Sequence, residues 1–429
     1  MKICLFGGTF DPPHIGHHNI INNLLIKNYD KIIVMPTGDV NYKQILTDKQ
    51  IRLEMVRIWV DSFKDNRLEV DDFEVNHCQI STTEQTIKYL KEKYPNDEIY
   101  MAIGYDSYID LENWDNYDYL KDNVKFEVYN RDGSIEFNGD NIDVSSTSLR
   151  KLFNPELVPQ SVLPLIVEKQ IYNLQPFIVS YEQVKPTINI VEEIEKRKNF
   201  IKQTLVTSHQ KALILGISGG QDSTLTAKLA SLAIDELGRD YTLYLVRLPY
   251  KVQKDEDDCQ DVLNWIDNKQ TVVYNIEEAT EVVNRDVNNT SDFNKGNIKA
   301  RMRMIYQYAL AGEVSGLVLG TDHSSENITG FFTKHGDGAS DLNPLFGLNK
   351  RQGKMLLKHL GCPSHLYEKV PTADLEEDKP QLPDEVSLGV TYDQLDDYLE
   401  NKQVDIKVKI RIEQLFVRSM HKRMVNNYR

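Results

Sequence analysis

Two short apolar runs, each closing on a glycine pair and leading into a helical pattern, constrain this chain more than anything else in it. Lys2–Phe6 runs into Gly7-Gly8, and over 200 residues later Ala212–Ile217 runs into Ser218-Gly219-Gly220. A strand that ends in a glycine turn and feeds a helix opens a βαβ unit, and such strand ends are where open parallel sheets bind phosphate-bearing ligands. After the first turn, helical spacing over Ile15–Asn28 and Asp48–Val60 alternates with strand-like Lys31–Met35, Glu98–Ile103 and Lys125–Tyr129. Around the second, helical Glu192–Thr207, Thr224–Leu237 and Lys299–Ala311 alternate with strand-like Thr242–Leu248, Val272–Asn275 and Gly316–Leu319. Lys407–Arg429 is helical in pattern and ends basic. The alternation predicts α/β architecture with two doubly wound parallel-sheet domains, 1–175 and 176–429. Gln175–Pro186, which carries Pro176 and Pro186 and shows no clear period, reads as the linker.

Composition narrows the partners. Lys+Arg 50 against Asp+Glu 65 gives a net charge of −15, which argues against nucleic acid or an acidic membrane surface as a ligand. A small phosphate ligand needs only a local positive pocket and stays open. No apolar stretch approaches the roughly 18 residues of a membrane span, and the glycine pair comes too early for a signal peptide. Cys4, Cys78, Cys259 and Cys362 form no CxxC, so a reducing, cytoplasmic setting is expected. Cys259 and Cys362 read as buried thiols, the acidic run Asp255–Asp258 as a solvated loop face, and Tyr117–Tyr119 as packing. His359 and His365 carry no partner spacing.

Gly7–His18 reads GGTFDPPHIGHH. Two glycines let a backbone approach a phosphate closely. If a helix begins near Ile15, its N-terminus, His14 and His17 face one ligand, and two potential imidazolium donors suit a triphosphate. The stretch resembles the signature of nucleotidyltransferases, most specifically bacterial nicotinate mononucleotide adenylyltransferase. Ile103–Trp114 (IGYDSYIDLENW), Arg52 in a helix after a loop, and Val144–Arg150 (VSSTSLR) agree in order, over about residues 1–172. The resemblance implies a Rossmann-like fold and an ATP site formed by Gly7, Gly8, Thr9, Phe10, His14, His17, Ser146, Thr147 and Arg150. It places the mononucleotide near Lys43, Asp106 and Trp114, and makes His14, His17 and Arg150 catalytic. Where the family carries Pro-His-Lys, this chain reads Asn41-Tyr42-Lys43. The implied substrate is nicotinate mononucleotide; the nicotinamide form is the alternative.

Gly216–Ser223 reads GISGGQDS and lacks the Gly-Lys-Ser/Thr of a Walker A loop. Its Ser-Gly-Gly-x-Asp-Ser order offers amides and hydroxyls to a pyrophosphate and one carboxylate to its metal, as in PP-loop enzymes. Leu248–Asp261, Gly320–Gln352, Tyr367–Leu399 and His421–Arg423 extend the likeness: the region resembles ammonia-dependent NAD synthetase over residues 176–429. That implies a PP-loop, adenine nucleotide α-hydrolase-like fold. ATP would be held by Gly216, Ile217, Ser218, Gly219, Gly220, Gln221, Asp222, Ser223, Thr321, Lys350 and Thr372. Deamido-NAD would be held by Arg301, Lys334, Asp341, His421 and Lys422. Mg²⁺ would lie on Asp222 and Glu326, with Asp222 catalytic, ATP as co-substrate and ammonia as the nitrogen donor. A homodimer through this domain is implied as well. The product of the first implied reaction is the substrate of the second, so the expectation is a bifunctional enzyme of NAD synthesis.

Overall fold

The computed structural model describes residues 1–40, 45–130, 144–251, 256–266, 270–371 and 382–423. Two compact units, Met1–Phe177 and Ile178–Arg429, each contain one parallel sheet.

The first unit carries β1 (Lys2–Gly8), β2 (Lys31–Pro36), β3 (Leu68–Val70), β4 (Glu98–Gly104) and β5 (Lys125–Tyr129), in spatial order β3-β2-β1-β4-β5. Its helices are α1 (Ile15–Ile26), α2 (Lys49–Asp61), α3 (Phe73–His77), α4 (Thr83–Lys93), α5 (Tyr105–Ile109), α6 (Tyr117–Asn123), α7 (Ser146–Lys151) and α8 (Leu163–Lys169). Central β1 places Phe6 beside Val34 on one side and Ala102 on the other. Strand order reverses across β1 and β4, which makes their carboxyl ends the natural binding crevice. Ile3, Leu5, Ile33, Met35, Ile99 and Met101 bury one face of the sheet against Ile87 and Leu90 of α4. Each such side chain contributes about 1.5–3 kcal/mol relative to exposure.

The expected linker is in part a helix. α9 (Gln175–Glu182) buries Ile178 and Glu182, and the two units divide between Phe177 and Ile178, inside it. Pro176 does not oppose this, because a proline in the first helical turn gives up no intrahelical hydrogen bond.

The second unit carries β6 (Ala212–Gly216), β7 (Thr242–Arg247), β8 (Gln270–Val273) and β9 (Gly316–Val318), in order β8-β7-β6-β9. Its helices are α10 (Ile190–Thr207), α11 (Gln221–Leu237), α12 (Glu256–Ile266), α13 (Glu277–Asp286), α14 (Asp292–Glu313), α15 (Ser324–Thr329) and α16 (Lys350–His359). There follow α17 (Ser364–Glu368), α18 (Asp384–Leu388), α19 (Tyr392–Leu399) and α20 (Ile406–Arg423). Leu213, Leu215, Leu225, Leu229 and Leu356 pack one face of this sheet.

Three further expectations are corrected. β8 begins two residues before Val272. α14 begins well before Lys299, where the Ser291 hydroxyl accepts from the Asn294 amide and caps it. Of the acidic run Asp255–Asp258, Asp255 lies outside the described residues, and Glu256–Asp258 form the first turn of α12 rather than a loop, where acidic side chains complement the helix dipole. Asp258 also pairs with Lys369 at 2.6 Å. Cys4, Cys78, Cys259 and Cys362 are free thiols, and Cys259 and Cys362 are buried. No helix among the described residues is long and apolar enough to cross a membrane.

Candidate active sites

β1 delivers Gly7-Gly8 to the carboxyl edge of the first sheet. A Cβ on Gly8 would meet the Phe10 ring at 2.9 Å. Phe10 itself sits at φ 49°, with its buried ring against Phe6, His17 and Trp59. α1 begins at Ile15, so His14 and His17 lie a turn apart, their rings stacked with centroids 3.6 Å apart. The His14 amide donates to His17 Nδ1 at 3.2 Å, which leaves the proton of a neutral His17 ring on Nε2. Burial lowers the His14 pKa to about 4. The expectation of two imidazolium donors is therefore corrected: near pH 7 His14 in the free protein is a neutral ring.

The second signature docks on the first. Ser146 Oγ donates to the Pro12 carbonyl at 3.1 Å. Arg150 Nη1 donates to the Asp11 carbonyl at 2.8 Å, and Arg150 Nη2 to Thr147 Oγ1 at 3.1 Å. Asp106 lies in the first turn of α5, at the end of β4. Trp114 packs on the core cluster of the same sheet. Lys43 lies outside the described residues.

This turn is braced by Asp11, Tyr172 and Leu46, to which the motifs gave no role, and by Arg52, which the resemblance had matched. Tyr172 donates to Asp11 Oδ1 at 2.6 Å, and Leu46 donates its amide to Asp11 Oδ2 at 3.4 Å. Arg52 is fully buried and donates to four main-chain carbonyls: Thr9 at 2.9 Å, Thr37 at 2.8 Å, Gly38 at 3.1 Å and Thr47 at 3.2 Å. It staples the glycine turn to the segment after β2.

In the second unit β6 ends at Gly216 and α11 starts at Gln221. Gly219 turns at φ 73°, and a Cβ there would meet Asp258 Cβ at 2.9 Å. Ser218 and Ser223 share a hydroxyl hydrogen bond at 3.0 Å, and the Gly220 amide donates to Ser218 Oγ at 3.3 Å. The loop opens on a cavity of about 420 Å³, also lined by Thr321, Glu326, Lys350 and Lys422, a size that suits a small-molecule ligand. Thr372 lies outside the described residues.

At one wall Asp222, His323 and Glu326 bring one ligand atom each within 4.8 Å of one another. Lys350 Nζ lies 2.7 Å from Asp222 Oδ2 and 3.9 Å from Glu326 Oε1. Burial alone would raise the Glu326 pKa, but His323, Lys350 and the Tyr392 hydroxyl hold that carboxyl well below the usual range. Nearby Asp322 is pushed well up by burial and by Asp337, Glu326 and Asp222. Two cavity-facing carboxylates with a cation already between them fit a divalent ion that prefers oxygen, such as Mg²⁺. Tyr392, which donates to Asp384 Oδ2 at 3.2 Å, and His323 are parts of this wall that motif reading did not assign.

Of the five residues expected on deamido-NAD, only Lys422 lines the cavity. Its ammonium donates to the Gly330 and Phe332 carbonyls at 2.8 and 2.6 Å. Lys334 donates to the His421 carbonyl at 2.8 Å, and Arg301 to the Lys334 carbonyl at 3.3 Å, so these four meet. The Asp341 carboxylate instead accepts from the Val318 amide at 2.7 Å and from Tyr308 at 3.3 Å.

A parallel sheet with a Ser-Gly-Gly-x-Asp-Ser turn at a strand end, and a second carboxylate beside the one in that turn at the cavity wall, defines an ATP-using PP-loop enzyme. The profile of the NAD synthase family matches residues 193–426, over half of the chain, and the chain belongs to that family. A cytidylyltransferase-like profile matches residues 5–152, in agreement with the nucleotidyltransferase-like first fold. The NH(3)-dependent NAD(+) synthetase of Lactobacillus gasseri is 53% identical over 260 residues, 58% of this chain and 94% of that protein. The NAD+ synthetase structure from Burkholderia pseudomallei is 39% identical at a TM-score of 0.51, covering 58% of this chain and 95% of that one. The NMN synthetase structure from Francisella tularensis is 32% identical at a TM-score of 0.52, covering 57% and 99%.

Proposed function

We propose that the chain performs two consecutive steps of NAD synthesis, with residues 1–175 as an adenylyltransferase acting on nicotinate mononucleotide and 176–429 as an ammonia-dependent synthetase. The observation that supports this most is the presence, in one chain, of two glycine-turned strand ends built for phosphate, each with its own charged wall.

At the first, a phosphate oxygen of the mononucleotide attacks the α-phosphorus of ATP and pyrophosphate leaves. No nucleophilic side chain is needed, so the protein's work is positioning and charge stabilisation. The rings of His14 and His17 and the Arg150 guanidinium meet the triphosphate beside the Gly7–Phe10 turn. Asp106 and Trp114 at the end of β4, with Lys43, hold the mononucleotide. Nicotinate is favoured over nicotinamide because the second unit consumes a carboxylate.

At the second, the substrate carboxylate attacks the α-phosphorus of ATP, pyrophosphate leaves, ammonia attacks the resulting acyl-adenylate, and AMP leaves. The Ser218–Ser223 turn cradles the phosphates, with Thr321, Lys350 and Thr372 on the nucleotide. Arg301, Lys334, Asp341, His421 and Lys422 take the dinucleotide. Asp222 and Glu326 would hold Mg²⁺, which neutralises pyrophosphate charge when bound. Val282, Val287, Phe293 and Ile305, on or next to α13 and α14, are exposed apolar side chains, and a second copy of this chain covers them in our reading. The free thiols suit a cytoplasmic setting.

The test incubates the full chain with ATP, Mg²⁺, ammonia and either mononucleotide, and identifies products. NAD formed from the nicotinate form, with nicotinate adenine dinucleotide as the intermediate, supports the reading. Preference for the nicotinamide form would overturn the first assignment. In His17→Ala enzyme, conversion of nicotinate mononucleotide to nicotinamide mononucleotide would put amidation first, and overturn the order. Equal rates from purified glutamine without ammonia would overturn the nitrogen donor.

A further inference from the structure

We infer that His323 is a positioning residue, a fixed ring N–H held beside the Asp222 and Glu326 carboxylates and outside the coordination sphere of the cation they hold. The inference rests on the reading that these two carboxylates bind the divalent ion, and it settles the role of the third group beside them.

By composition alone, an Asp-His-Glu trio whose ligand atoms lie within 4.8 Å of one another is as suggestive of a nitrogen-ligated metal as of an oxygen-ligated one. The two nitrogens of His323 separate the cases. His323 is the N-cap of α15, and its Nδ1 accepts the Ser325 amide at 3.2 Å. That amide lies in the first turn of α15 and has no partner within the helix. Burial opposes a charge on this ring and the Glu326 and Asp222 carboxylates favour one, but an imidazolium would set an N–H on Nδ1 against the Ser325 N–H; with Nδ1 accepting, that nitrogen is bare and the hydrogen is on Nε2. Ligation through Nε2 would move that hydrogen to Nδ1 and set it against the Ser325 N–H, donor to donor.

Nε2 faces Glu326 Oε1 at 3.4 Å and Asp222 Oδ1 at 3.6 Å, in a ring that is 2% exposed. One rigid donor therefore faces both carboxylates, which sit on different helices, α15 and α11. The turn that starts α15 thus sets the tautomer, and the tautomer leaves an all-oxygen pair. Such a pair favours Mg²⁺ or Mn²⁺ over metals that seek imidazole.

Mn²⁺ is the probe, because it is paramagnetic. Pulsed electron paramagnetic resonance of Mn²⁺ on the full chain, with Asp222→Asn as the blank that isolates this site, should show no directly coordinated nitrogen. His323→Asn keeps a good N-cap acceptor but cannot reach the carboxylates. Its melting temperature should stay near wild type while Mn²⁺ affinity falls about 10–100-fold, the usual cost of losing a group that orients metal ligands. His323→Gln places an amide N–H near Nε2 and should recover most of the affinity, at some loss of melting temperature.

A nitrogen coupling from coordinated imidazole in the wild type would overturn the inference while leaving the cation site standing. So would wild-type Mn²⁺ affinity in folded His323→Asn. Mn²⁺ binding that Asp222→Asn does not alter would overturn the cation site itself, and the inference with it. The wild-type spectrum decides the ligation even if neither variant folds.

Discussion

Lys350 places its ammonium between Asp222 and Glu326, 2.7 Å from one carboxylate and 3.9 Å from the other. It is the cation on which this wall of the cavity relies in the free protein, and the burial that would strip its charge is outweighed by the two acids.

Replacing it tests that relationship. Lys350→Met leaves two crowded carboxylates with no ammonium, and removing one partner of a buried pair costs roughly 3–5 kcal/mol. The melting temperature of the second unit should fall, and millimolar Mg²⁺ should restore more of it in the variant than in the wild type. A fall that added Mg²⁺ leaves unchanged would mean that the lysine serves packing alone.

Gly219→Ala adds a methyl group where φ is 73° and where Asp258 Cβ would lie 2.9 Å away. The strained conformation alone costs on the order of 1–3 kcal/mol. Amidation of supplied nicotinate adenine dinucleotide should collapse while adenylyl transfer persists. The two half-reactions, assayed separately, read this directly.

The buried ring of His14 makes the first unit acid-sensitive. Its folded pKa, about 4, lies below the ordinary histidine value of 6.5. Between these values the unfolded chain binds the extra proton, so stability is full above pH 6.5 and declines as pH falls toward 4. The decline is on the order of 3 kcal/mol. Hydrogen exchange of α1 amides at pH 7 and pH 5 should show it, with a shallower decline in His14→Gln. Equal slopes would assign the sensitivity to another group.

Arg52→Met should damage the first unit more than any surface arginine substitution. It removes the donors of four main-chain carbonyls, and each buried acceptor left unpaired costs about 1–3 kcal/mol. Adenylyl transfer should fall with stability, because the Thr9 turn loses its anchor. Urea unfolding paired with the pyrophosphate-release rate measures both.

The sheets and both glycine turns were legible because buried parallel strands read as unbroken apolar runs, as in Lys31–Met35. β3 was not: Leu68–Val70 is three half-buried residues at a sheet edge, flanked by charge. β8 was displaced because Gln270 and Thr271 are exposed polar residues on an edge strand. α9 was hidden by Pro176 and by its short length. Among site residues, Gly7, His14, His17 and Asp222 declare themselves by spacing within one turn. Asp11 and Tyr172 lie 161 positions apart and meet only through the fold. His323 looks like any lone histidine until α15 shows which of its nitrogens is engaged.

The core clusters described above each draw on one side of the Phe177–Ile178 division. A polypeptide organised in this way is made with equal numbers of both catalytic centres, however strongly its message is translated. Drift in expression therefore cannot favour one activity over the other. The balance between them has to be adjusted by substitutions within one sheet or the other, and selection can act on either turnover number without altering dosage.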